Sequence, residues 1–390
     1  MSSEARLHSA YHPEREAERY VESLVIAECI EYFILIECGH GYVIPYLRAR
    51  CPQAKIISLH IKDEYLEDGA DAGWSPISRL DAEEFLENTI GDTEAVKIKL
   101  VEWRPALSLN PELYVKLARS AASFITHADA NSRTAAFFAS RWKKNTRRNL
   151  NFFAETARRA HALLEKTQNR DIVVCASGPS LESYILLIKK LQTAGNIIVA
   201  AVSSAVKALF ARGIEPDAVI ANDGGTWARF HLYEIARKTY EHYGQRPLIA
   251  ASLKAALPTQ FDAFPVLLFG DGTAVEAQAL KDASVPCISL PARGTVTATA
   301  LDFAMGWTRG KVYLCGADFS CSGVASHARP YALDVFLECS STRFTPHYHQ
   351  KWVRTLRLKD GKSYKIYAEW FEKQRPRYGE RLADLANFQE

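Results

Sequence analysis

The stretch Asp171-Ile172-Val173-Val174-Cys175-Ala176-Ser177-Gly178-Pro179-Ser180-Leu181 constrains this chain most. Its run of small and β-branched apolar residues reads as a strand buried on both faces, and Ser177-Gly178-Pro179-Ser180 stops it abruptly. Leu181, Tyr184, Ile185, Ile188 and Leu191 then recur at helical spacing, with Ser180 as the expected N-cap and Gly195-Asn196 as the stop. The turn between strand and helix is expected to offer free backbone N–H groups at the positive end of a helix dipole, a setting that suits a phosphate. An ordinary βα turn has the same composition, so this turn alone does not identify a ligand.

The pattern recurs. Strands are expected at Ile172 to Ala176, Ile197 to Val202, Ala218 to Ala221, Leu248 to Ala251, Val266 to Phe269 and Val312 to Cys315. Helical patterns lie between them at Ser204 to Arg212, Thr226 to Tyr243, Ala274 to Lys281 and Thr295 to Trp307. Continuous apolar strands alternating with helices imply an α/β fold with a mostly parallel sheet covered on both faces. Ligands bind such sheets at the carboxyl ends of the strands. Those ends read Ser177-Gly178-Pro179-Ser180, Ser203-Ser204, Asn222-Asp223-Gly224-Gly225, Gly270-Asp271-Gly272, Arg293-Gly294-Thr295 and Gly316-Ala317-Asp318. Gathered on one edge, they describe a polar, glycine-lined cleft in which Asp223 and Asp318 share one site.

The N-terminal part is a second, smaller Rossmann-like unit. A charged amphipathic helix from Pro13 to Cys29 leads into a strand from Tyr32 to Glu37, then the turn Cys38-Gly39-His40-Gly41-Tyr42 and a strand from Lys55 to Leu59. Asp63 and Glu64 follow the second strand, but no third glycine completes a dinucleotide fingerprint, so no cofactor is assigned there. Ala95 to Trp103 reads as a further strand, and Pro111 to Ile125 as a helix. From Asp129 to Thr167 neither glycine nor proline interrupts the chain, which argues for long helical structure. The run Arg141 to Leu150 within it reads as a solvated face, in preference to a basic surface facing an anionic partner. Asn145 and Asn149, poor helix formers four residues apart, have no evident place there. The expected division is therefore 1–127, a Rossmann-like domain; 128–168, a helical linker; 169–330, the core; and 331–390, a less regular extension in which His347 and His349 are surface residues and a last helix near Tyr364 to Gln374 caps the sheet.

A net charge of +3 does not suggest nucleic-acid binding, and the most apolar stretch, Leu24 to Cys38, is broken by Glu28 and Glu31, so no membrane span is expected. Eight cysteines without a C-x-x-C pair, several inside apolar runs (Cys38, Cys175, Cys287, Cys315), fit a reducing cytoplasm.

Taken together, Gly178-Pro179-Ser180-Leu181, Pro216-Asp217-Ala218 leading to Asp223, Gly294-Thr295-Val296, Gly316-Ala317-Asp318-Phe319 and His327-Ala328 resemble the motility accessory factor family. Those proteins are flagellin glycosyltransferases whose core is shared with an archaeal 6-hydroxymethylpterin diphosphokinase. Trp142 to Asn149 looks like the family's Trp-x-x-Asn-x-x-x-Asn linker, and Cys38 to Tyr42 like its N-terminal glycine turn. In the family a further strand and glycine-rich turn follow the helix that Tyr364 to Gln374 matches; no such turn is visible before Glu390.

The resemblance implies transfer of a nonulosonic acid, pseudaminic or legionaminic, from a CMP-linked donor to Ser or Thr of flagellin, with no cofactor required. Ser177, Gly178, Pro179, Ser180, Ser203, Asn222, Asp223, Gly294, Thr295 and Gly316 would bind the donor. His327 and Asp318 would be catalytic, since a protein hydroxyl needs a base and a histidine near neutral pKa fits best. A loop histidine bonded to backbone is the competing reading of His327. Gly178→Val is expected to displace the phosphate and leave the fold intact. Two alternatives stand beside the transferase. One is a diphosphokinase acting on a pterin-like alcohol, with Asp223 and Asp318 holding Mg²⁺; the other is a non-catalytic flagellin-binding assembly factor.

Overall fold

A computed structural model describes residues 7–91, 94–165, 169–240, 246–271, 276, 279–280, 285–291, 293–360 and 363–388. The chain divides into two compact units, residues 1–138 and 139–390. Both are α/β with wholly parallel sheets.

In the first unit four strands, β1 (Tyr32–Ile36), β2 (Lys55–Leu59), β3 (Ala72–Trp74) and β4 (Ile98–Glu102), pair in the order β3-β2-β1-β4. The first helix stops at Ser23, short of the expected Cys29, because Leu24 is already extended. The strand expected from Ala95 begins only at Ile98, after a 3-10 turn over Ala95–Lys97. The glycine turn after β1 is filled from within. Gly39 donates its N–H to Glu37 Oε1 at 3.1 Å, and a Cβ at Gly39 would lie 2.2 Å from Leu7 Cδ2 and 2.3 Å from His8 Nε2. The space a Rossmann pyrophosphate would take is occupied by the chain's own side chains. Asp63 and Glu64 stand in an exposed 3-10 turn.

In the second unit eight strands follow: β5 (Asp171–Cys175), β6 (Ile197–Val202), β7 (Ala218–Ala221), β8 (Leu248–Ser252), β9 (Val266–Gly270), β10 (Cys287–Ser289), β11 (Val312–Cys315) and β12 (Leu382–Asp384). Their order is β10-β9-β8-β7-β6-β5-β11-β12. Alternate residues serve opposite faces. Ala218, Ile220, Leu248 and Ala250 pack with Leu181, Ile188, Leu301 and Phe303 on one side; Val219, Ala221, Ile249 and Ala251 pack with Leu150, Phe153, Leu232 and Phe261 on the other. Burial on both faces explains why these strands read as unbroken apolar runs.

The long helix runs from Pro111 to Glu165 and so begins well before 128. Asn145 Nδ2 donates to the carbonyls of Gly224 (3.2 Å) and Lys254 (2.9 Å). Asn149 Nδ2 donates to those of Leu253 (3.0 Å) and Ala255 (2.9 Å). The two asparagines are thus structural. They satisfy buried carbonyls of the loops after β7 and β8, groups whose desolvation would otherwise cost about 1–3 kcal/mol each.

Several elements are shorter or tighter than expected. Ser204 to Arg212 is a 3-10 turn (Ser203–Ala205) followed by a helix over Val206–Phe210. Of the helix expected over Thr226 to Tyr243, the stretch to 237 is a 3-10 segment (Thr226–Leu232) and a helix over Tyr233–Arg237, and 241–243 lie outside the described residues. Most of the helix expected over Ala274 to Lys281, and Gly272 before it, lie outside the described residues. The extension is more regular than its sequence suggests, with helices Asp334–Cys339, His347–Asp360 and Ser363–Tyr378. After the last helix β12 joins β11 in parallel, so a strand does follow it. Cys38, Cys175 and Cys315 are buried, whereas Cys287 is partly exposed. Among the described residues no helix is long and apolar enough to cross a membrane.

Candidate functional site

The carboxyl edge of the eight-stranded sheet gathers the residues singled out by sequence, and the turn after β5 proves to be occupied. Gly178 N–H donates to Gly316 O at 2.7 Å, and Ser180 N–H donates to Asp318 Oδ2 at 2.7 Å. Ser180 Oγ bonds Asp318 Oδ1, so the serine caps nothing in its own helix. The Asp318 carboxylate therefore sits at the helix N-terminus where a phosphate was expected. An anion there would have to displace or face it. Close packing holds the arrangement: a Cβ at Gly178 would come 2.5 Å from Gly316 O and 2.6 Å from Asp318 Oδ2. A Cβ at Gly316, which has φ +70°, would come 2.5 Å from Ala176 O. Gly178→Val is accordingly a folding lesion rather than a clean binding variant. Pro179 completes the turn, its carbonyl accepting from Glu182 N–H.

Neighbouring residues form a chain of polar contacts along the same edge. Ser204 Oγ bonds Ser177 Oγ at 2.9 Å, with Ser203 buried beside it at the end of β6. Asn222 Nδ2 donates to Thr299 Oγ1 at 2.9 Å, and Thr295 caps the helix Val296–Trp307 after Gly294. Asp223 Oδ1 accepts from Gly225 N–H at 2.7 Å. Asp223 follows β7 and Asp318 follows β11, with β6 and β5 between them. Three inter-strand steps of about 4.8 Å place the two strand ends roughly 14 Å apart. They share an edge, yet the spacing does not suit two ligands of one Mg²⁺, and both oxygens of Asp318 are already engaged. Among the described residues neither aspartate belongs to a cluster of three or more metal-ligand groups.

His327 lies next to the Ser177 turn, because Ala328 N–H donates to Ser177 O at 2.8 Å. Its ring stacks on Tyr331 with centroids 4.1 Å apart, and His231 lies on Tyr331 at 5.3 Å. His327 Nδ1 is 2.9 Å from Ser326 Oγ. The side chain lines a cavity of about 210 Å³ with Arg329, Tyr331, His347, Lys351 and Arg354 among its walls. Sequence reasoning found His327 and missed the other cations. A signal was present: His347, Lys351 and Arg354 stand at i, i+4, i+7 and share one helix face. His349 is exposed as expected, but His347 turns its Nε2 into buried surroundings.

Burial, reinforced by the Arg354 guanidinium and by His231, lowers His327 to about 3. Burial also lowers His231 to about 4, with Asp223 opposing and Arg354 reinforcing. The expected near-neutral base is thus a much weaker base in these surroundings. Unfolded, both imidazoles take up a proton near 6.5. Because the folded state resists protonation, the stability it gains is complete above about pH 6.5 and is lost as pH falls towards 3–4. The unfolding free energy is expected to drop by up to about 1.4 kcal/mol per pH unit for each histidine across that window. Urea unfolding at pH 7, 6 and 5 measures this, and His231→Gln with His327→Gln should flatten the slope. An unaltered slope in the double variant would assign the acid sensitivity to other groups.

Residues 144–323 match the model of the family described as 6-hydroxymethylpterin diphosphokinase MptE-like. The likeness covers the greater part of the large sheet's unit, from within the long helix to the segment after β11. It is similar to an uncharacterized protein of Treponema pallidum (strain Nichols), 27% identical over 342 residues that make up 86% of this chain and 69% of that one. Among solved structures it is similar to the MAf glycosyltransferase from Magnetospirillum magneticum AMB-1, with 14% identity and a TM-score of 0.41 over 80% of this chain. The chain spans just over half, 56%, of that glycosyltransferase.

Proposed function

We propose that this protein is a glycosyltransferase that moves a nonulosonic acid of the pseudaminic or legionaminic type from a CMP-linked donor to Ser or Thr of flagellin. The observation that carries the reading is the cavity beside His327, a cation-lined pocket at the carboxyl edge of an MptE-like sheet, next to the Ser177 turn. CMP would lie along Ser177, Ser203, Asn222 and Thr295, where hydroxyl and amide groups line the edge. With Nδ1–H donated to Ser326 Oγ, His327 Nε2 is the nitrogen left to take the proton of an acceptor hydroxyl. As that proton leaves, the oxygen attacks the anomeric carbon, and the bond to the CMP phosphate oxygen breaks. The leaving phosphate departs with the electron pair. Asp318 acts here by holding the Ser177–Ser180 turn, as a positioning residue.

The family description favours a second reading, a diphosphokinase for a pterin-like alcohol. Its Mg²⁺ would need other ligands than the pair Asp223 and Asp318. The two readings separate in a thermal-shift series with CMP, ADP and GDP, each with and without Mg²⁺. CMP is expected to raise the melting temperature equally in both conditions. A shift seen only with ADP and Mg²⁺ would replace the transferase by the kinase. Incubation with CMP-legionaminic acid and flagellin then tests transfer directly, by the added mass on Ser- or Thr-containing peptides.

A further inference from the structure

We propose that the cavity between residues 324–331 and the helix His347–Asp360 is a subsite for a single carboxylate, and that Arg354 determines specificity for an acidic ligand there. The charge count of the walls points to one anion. Lys351 Nζ is paired with Asp334 Oδ2 at 2.6 Å. Arg329 is held by Glu182, 3.5 Å from its Nε and 2.9 Å from its backbone N–H. Arg354 differs from both. Its guanidinium stands 5.5 Å from the Tyr331 ring centroid, with no carboxylate within ion-pair distance among the described residues. The two imidazoles nearest it, His327 and His231, are kept neutral by burial and by Arg354 itself. Asp223, whose charge also reaches His231 and Tyr331, accepts from Gly225 N–H and is not in ion-pair contact with Arg354, so among the lysine and arginine side chains of the walls Arg354 alone has no paired carboxylate, which suits a monoanion better than a polyphosphate.

A second observation lies on the same wall. His347 Nε2 is buried and has no hydrogen-bond partner, although buried polar atoms are nearly always satisfied. A planar guanidinium with an unpaired ring nitrogen two helix turns before it on the same face is a donor set for a carboxylate, which Arg grips through two parallel N–H bonds. The rest of the cavity has room for roughly seven water volumes, more than a carboxylate alone would fill.

The inference deepens the proposed transferase and rests on it for the identity of the ligand. A nonulosonic acid carries its carboxylate on the anomeric carbon, so gripping that group at Arg354 would hold the reacting carbon beside His327. It would also set a negative charge near an imidazole that Arg354 otherwise keeps neutral, favouring proton uptake when the sugar is bound.

The probe is free N-acetylneuraminic acid, compared with its neutral methyl ester and with inorganic pyrophosphate, by calorimetric titration of the whole chain. The acid is expected to bind and the ester not. Arg354→Met should weaken acid binding by about 10- to 100-fold, the value of a charge-assisted pair, and Arg354→Lys should recover part of it. Circular dichroism on both variants checks folding, and the lysine variant keeps the test decisive if the methionine variant does not fold. Equal binding of acid and ester, tighter binding of pyrophosphate, or wild-type affinity in folded Arg354→Met would each overturn the subsite. Turnover of a CMP-linked donor with unchanged donor KM in Arg354→Met would sink the subsite and leave the transferase standing. Arg354-dependent binding of the acid with no turnover of any CMP-linked donor would do the reverse.

Discussion

Alanine at Gly178 is expected to destabilise the protein by about 1–3 kcal/mol, and valine to prevent it from folding. The cause is local and steric. The new Cβ would meet Gly316 O at 2.5 Å and Asp318 Oδ2 at 2.6 Å, and the first of these is backbone that cannot rotate away. Relief would require parting β5 from the segment after β11, which the Gly178 N–H to Gly316 O bond and the Ser180 bonds to Asp318 hold together. Urea unfolding should show a lower midpoint for Gly178→Ala with an unchanged slope. A wild-type midpoint would mean that the turn relaxes freely. Donor binding is better probed at Asn222 or Ser177, whose side chains reach along the edge without propping the turn.

His327→Ala is expected to lower turnover by about 10²- to 10⁴-fold, with donor affinity near wild type. His327 also stacks on Tyr331, so His327→Gln should accompany it, keeping bulk and hydrogen bonding while removing the base. Since burial and Arg354 hold the free imidazole at about 3, kcat/KM should show no loss attributable to this group between pH 5 and 8. An acid limb near 6.5 that disappears in His327→Gln would show the site to be more solvated than the geometry implies. Wild-type turnover in both variants would leave His327 a packing partner of Tyr331.

The fold was legible wherever burial on both faces wrote unbroken apolar runs, as in Ile172 to Cys175 or Val312 to Cys315. It was illegible where elements are too short to carry a period. Cys287–Ser289 and Leu382–Asp384 have three residues each, and the 3-10 segment Thr226–Leu232 mimics a helix at its apolar positions. The site was legible in position but not in detail. That the edge carries Ser177, Asn222, Asp223 and Asp318 follows from strand ends. That Asp318 fills the Ser180 turn is a contact across 138 residues of sequence, which no local pattern records. Likewise Asn145 and Asn149 looked misplaced because their partners, the carbonyls at 224 and 253–255, are distant in the chain.

The two outermost strands of the large sheet bear on how the protein behaves in a crowded solution. Sheet edges invite other chains to add on, and brevity is one defence against this. Here, among the described residues, both ends of an eight-stranded sheet finish in three-residue strands, one of them reached only after the three helices that follow β11. Remove the segment from Leu382 onward and β11, four residues whose side chains are all buried, becomes a bare apolar border. Its carbonyls and amides would then recruit whatever strand came next, most readily that of another copy, and the first sign would be turbidity rather than lost chemistry.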